Sequence, residues 1–148
     1  MMTTPYTVNP PGQKITIISV RPAGKINFEN KCPDIPLSPL VEATYFTESD
    51  EMRISAVVFL DAAIVSPSFE VFQECQPYVE GEPPVKFYVC YDHKRTMATE
   101  FNAYQVNFSL DPAAIHGIEV NKINEIETFL WDTDPKASRG TVTNVQRN

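Results

Sequence analysis

The sequence predicts an all-β protein, an antiparallel β-sandwich of about 7–9 strands folded as a single domain over residues 1–148. Three observations lead there. Apolar and polar residues alternate with period two in several short segments, turn-forming residues recur between those segments, and no run of long helical pattern separates them as a parallel α/β sheet would require.

Segment 13–21, QKITIISVR, is the first of these and reads as one strand rich in β-branched residues. The connector 32–40, CPDIPLSPL, spaces Pro33, Pro36 and Pro39 three residues apart and predicts an extended surface loop, because proline removes a ladder donor and biases its predecessor away from helix. Segment 41–47, VEATYFT, precedes the polar stretch 48–51 and pairs naturally with 52–61 as a hairpin with a four- or five-residue loop.

Segment 52–61, MRISAVVFLD, carries the clearest signal. Ile54, Ala56, Val58 and Leu60 fall on one face, with Arg53, Ser55, Val57 and Phe59 on the other. Segments 85–92, VKFYVCYD, and 102–110, NAYQVNFSL, repeat the alternation, and shorter strands are predicted at 69–74, 117–121, 126–132 and 141–145. One short helical turn is expected near 111–117: Asp111 suits the cap, Pro112 the first helical position and Gly117 a left-handed stop. The pattern of 121–132 is read as a strand with a short helical lead-in. The 13 prolines sit almost entirely between these segments, as intact ladders demand. The first twelve residues are expected to form a flexible N-terminal segment.

Composition bounds the function. Hydrophobic residues make up 43% of the chain and charged residues 21%, the balance of a folded domain and not of a disordered one. A net charge of −7 opposes phosphate backbones and anionic lipid, and the basic run His93-Lys94-Arg95 is too short for a nucleic-acid stripe. No apolar run is long enough to span a membrane as a helix. The N-terminus lacks the cationic start and apolar core of a secretory signal, and Cys32, Cys75 and Cys90 are odd in number with no C-x-x-C pair. A cytoplasmic protein with reduced thiols is therefore expected.

Residues 88–96, YVCYDHKRT, collect the most reactive-looking groups in the chain. If 85–92 is a strand, Cys90 and Asp92 share one face while Tyr91 and the direction of His93 belong to the other, so a Cys/His couple does not form within the segment. Two histidines, His93 and His116, match no zinc or iron ligand spacing, and the five scattered glycines form no phosphate-cradling loop. No cofactor is expected. There is no G-x-S-x-G elbow.

These absences direct the reading to a non-enzymatic protein that acts by protein–protein interaction or self-assembly. Residues 139–148, RGTVTNVQRN, favour a strand and could extend this chain's own sheet or a neighbour's. The other reading is a small-ligand or carbohydrate-binding module. Its site would use Trp131 as the aromatic platform and the Asp132/Asp134 loop, with Arg139 as a further ligand-binding residue.

Overall fold

The alternation read from β4 is realised almost residue for residue in the computed structural model, which describes residues 10–27, 39–75, 80–91, 99–115, 117–131 and 140–148. In β4 (Glu51–Asp61), Met52, Ile54, Ala56, Val58 and Leu60 are buried while Arg53 points to solvent. β3 (Leu40–Phe46) pairs with it antiparallel across the four-residue turn 47–50, which is the predicted hairpin. The other strands are β1 (Gln13–Ile15), β2 (Ile17–Asn27), β5 (Phe69–Cys75), β6 (Val85–Tyr91), β7 (Glu100–Ser109), β8 (Glu125–Trp131) and β9 (Gly140–Arg147).

The protein is all-β, and the arrangement of its strands corrects the expected antiparallel sandwich in two respects. The nine strands form one curled sheet, a half-barrel, in the order β1-β5-β6-β8-β9-β3-β4-β7-β2. That sheet is mixed, because β6 pairs with β8 and β3 with β9 in parallel. Side chains point alternately to the two faces in parallel and antiparallel ladders alike, so period two by itself does not distinguish them.

Two strands make the corners of the curl, the role that strands switching between layers play in crossed β-packings. The predicted strand 13–21 breaks at Thr16: β1 pairs with β5 and β2 with β7, so the two ends of the sheet meet at a single residue. β9 divides in the same way. Residues 140–144 pair with β8, and residues 145–147 pair with β3. The C-terminal segment is thus the fifth strand of nine, held on both sides within its own sheet, and the expected edge is absent.

Curling places the inward faces of the two halves against each other. Phe87 on β6 and Phe108 on β7 pack with ring centroids 5.1 Å apart, and Phe69 on β5 meets Tyr104 on β7 at 5.8 Å. Around them lie Ile54, Val58, Val71, Val89, Val106 and Ile126, all inaccessible to solvent or nearly so. Buried Gln73 faces the same interior and is satisfied by a two-way clasp on Asp111: its amide donates to the Asp111 carbonyl at 2.9 Å and its carbonyl accepts from the Asp111 N–H at 2.7 Å. The clasp fixes the start of the predicted turn, a 3-10 element at Pro112–Ala114 capped by the Asp111 carboxylate. A second 3-10 element, Val120–Lys122, supplies the helical lead-in to β8 and replaces the strand expected at 117–121. Gly12, at φ +96°, lies so close to β5 that any side chain there would overlap the Gln73 carbonyl. Among the described residues, no helix is long and apolar enough to cross a membrane.

Candidate functional site

The outward faces of the two halves differ, and the difference locates the site. On the outward side of β5, β6 and β8, period two brings Phe72, Tyr88 and Phe129 into one cross-strand row and Glu70, Cys90 and Trp131 into the next. Tyr88 stacks on Phe129 at 5.0 Å and meets Trp131 edge-on at 5.3 Å, and Tyr88, Cys90 and Trp131 are all buried. Phe129 also lies over Gly140 of β9, where a side chain would strike its ring.

Cys90 and Tyr91 do project from opposite faces, Tyr91 into the main interior and Cys90 into this aromatic cluster. Burial pushes the Cys90 thiol far above its ordinary value and, aided by the neighbouring Glu70 charge, keeps it protonated and unreactive. Burial likewise raises the Tyr88 phenol to about 12, with smaller contributions from Glu74 and Glu127. Trp131, expected as a recognition platform, is only 8% exposed. Asp132, Asp134 and Arg139 lie outside the described residues, as do Asp92, His93 and His116. Among the described residues, no three Cys, His, Asp or Glu side chains gather closely enough to hold a metal ion.

The outward side of β2, β7, β4 and β3 is polar and open around Asn107 and Ser55, whereas Leu40, Val57, Phe59 and Ala103 are its outward residues further along. Register aligns Ser19, Asn107, Ser55 and Glu42 in one row across all four strands, with Ser109, Arg53 and Thr44 in the row beside it. Between these rows and Arg21 lies a concavity of about 340 Å³, bordered by Ile18 and Phe46. No comparable cluster of apolar side chains occupies it, because each strand places serine, threonine, asparagine or a charge at its outward positions there.

Part of this lining is already committed. Arg53 grips the Glu51 carboxylate with Nε at 3.2 Å and Nη2 at 3.4 Å, and its guanidinium lies over the Phe46 ring at 5.1 Å. Ser109 donates to the same carboxylate at 2.7 Å. These donors, Arg53 first, hold the Glu51 carboxyl below its ordinary value. The Asn107 amide donates to Ser19 at 3.1 Å. Arg21, by contrast, has no ion-pair partner among the described residues.

No protein-family model, curated protein or solved structure matches the chain. The site is therefore read from its own chemistry. Its polar side chains offer hydrogen-bond donors and acceptors from four strands. Sequence reasoning missed it because Ser19, Glu42, Ser55, Arg53 and Asn107 come from four strands and converge only through register. The signal present in the sequence was the polar half of each alternation, which reads as ordinary solvent-facing surface.

Proposed function

We propose that the protein is a non-enzymatic binding protein, cytoplasmic and with reduced thiols, whose recognition surface is the outward face of β2, β7, β4 and β3. The observation that supports this reading is the open concavity of about 340 Å³, lined by polar side chains from four strands with Ile18 and Phe46 at its border, on a sheet face whose last strand, β2, is paired on one side only among the described residues. A protein partner or a second copy meeting this face would find fixed hydrogen-bonding groups in the Arg53–Glu51–Ser109 set and adaptable ones in Gln105 and Asn107. A photo-crosslinking residue at Gln105 in intact cells tests the reading. Defined adducts at Gln105, absent when the same residue replaces exposed Glu82 in the turn before β6, are expected. Adducts only at Glu82, or none at either position, overturn it.

A polyhydroxylated small ligand is the second reading, favoured by the amide and hydroxyl lining of the same concavity and, separately, by the 131–139 segment. Trp131 reports on the latter, since a sugar bound beside it would shift its fluorescence. A sugar panel that leaves both the emission and the thermal midpoint unchanged removes this reading.

A further inference from the structure

The end of the open face is β2, and its chemistry departs from that of the rest of the chain. Residues 1–28 contain Lys14, Arg21 and Lys25 and no acid, whereas all 19 acidic residues and the other cations follow. Lys14 is paired with Glu70 at 3.2 Å. Arg21 and Lys25 are exposed and have no ion-pair partner among the described residues. Among the described residues β2 pairs with β7 on one side only, so along the other side the run Ser19–Arg21 presents backbone donors and acceptors without a ladder partner there. Beside them stand two exposed apolar residues, Ile18 at 57% and Val20 at 40%.

From this we infer that β2 is a docking edge that takes an extended, acidic segment of a partner protein as a tenth strand. This rests on reading the β2, β7, β4 and β3 face as the binding surface. Main-chain pairing along the free side would supply affinity, as in other strand additions. Specificity would come from alternate side chains: the register of Arg21 with Gln105 places it on the concavity face, whereas Lys25 pairs with Asn102 on the opposite face. A segment with carboxylates on both faces and a β-branched residue against Val20 satisfies the whole edge.

A second copy of the chain fits less well. Two β2 edges brought together would gather two Arg21 and two Lys25 side chains along one short ladder with no acid in the strand, and like charges close together across a ladder repel. Pro22 and the irregularities in pairing between Ile17 and Ser19 and between Pro22 and Gly24 further interrupt uncontrolled pairing. They leave the run around Ser19, Val20 and Arg21 regular.

The test uses the full chain and three short capped peptides: one alternating valine or threonine with glutamate, its lysine counterpart, and the glutamate peptide N-methylated at alternate residues. Fluorescence anisotropy should show binding of the glutamate peptide alone, weakening as salt screens the pairs. The double variant Arg21→Glu, Lys25→Glu should lose at least about tenfold in affinity, roughly 1.4 kcal/mol, with its thermal midpoint unchanged because both side chains are exposed. Equal binding of the lysine peptide, equal binding of the N-methylated peptide or no binding of the glutamate peptide overturns the inference. A dimer in sedimentation that the double variant dissolves also overturns it. If the double variant misfolds, the three peptides on the unaltered chain still decide. Adducts at Gln105 that persist in the double variant would leave the binding face standing without the edge, which separates the two failures.

Discussion

The two halves of the sheet obey the same inward rule and opposite outward rules. β4 and β7 bury one face and leave the other half-exposed, with Arg53, Ser55, Gln105, Asn107 and Ser109 at one end and Val57, Phe59 and Ala103 at the other. β6 buries both: Val85, Phe87, Val89 and Tyr91 inward, Tyr88 and Cys90 outward. A strand hydrophobic on both faces is an interior layer, and one hydrophobic on a single face is a boundary with solvent or with a partner. The comparison thus separates the part of the molecule that holds the fold together from the part free to recognise something else.

The sharpest way to break the comparison is to remove what joins the halves. Phe87→Ala takes away the ring that meets Phe108 and should cost about 3–5 kcal/mol in urea unfolding. A loss under about 1 kcal/mol, the range of ordinary surface changes, would mean the halves do not support each other. Trp131→Ala, on the outward cluster, should cost about 3 kcal/mol. The same cluster should shield Cys90, so that iodoacetamide at neutral pH labels it only at the rate of global unfolding. Labelling of the native chain at Cys90 would show that this outward face is open after all.

Alkaline titration probes the same contrast. Cys90 and Tyr88 both keep their protons longer in the folded state than in the unfolded one, whose ordinary values are 9.0 and 10.0. Their contribution is intact below those values. As pH rises past 9.0 the unfolded chain sheds protons that the folded one retains, so stability should fall, by at most about 1.4 kcal/mol per pH unit for each group. For Tyr88 the decline ends near the folded value of about 12. A Cys90→Ala, Tyr88→Phe double variant should flatten that decline between pH 9.0 and 10.0 and beyond.

Smaller effects sharpen the picture. The Thr128 hydroxyl is fully buried with no hydrogen-bond partner among the described residues, so Thr128→Val, which keeps the shape and removes the unsatisfied group, should raise stability by about 1 kcal/mol in thermal unfolding. On the open face, Gln105→Ala should change stability by no more than about 0.5 kcal/mol. A larger loss would mean that this face is structural.

Much of the strand content was legible in single segments. The alternation of 52–61, the hairpin it makes with β3 and the Asp111-Pro112 turn each depend on neighbours a few residues apart, and local rules suffice for them. The candidate face was not legible. The Ser19 hydroxyl accepts from Asn107, 88 positions away, and the concavity exists only because four strands align.

What the sequence determined by itself was which residues turn inward, since each strand carries that choice in its own two-residue period. What the tertiary structure alone decided was the partner of each strand: the break at Thr16, the division of β9 between β8 and β3, the parallel pairs and the free side of β2. The physical reason is that a backbone ladder is built from N–H and C=O groups common to every residue. Side-chain period states which face is dry, and only the packing of the whole sheet selects which strand lies alongside.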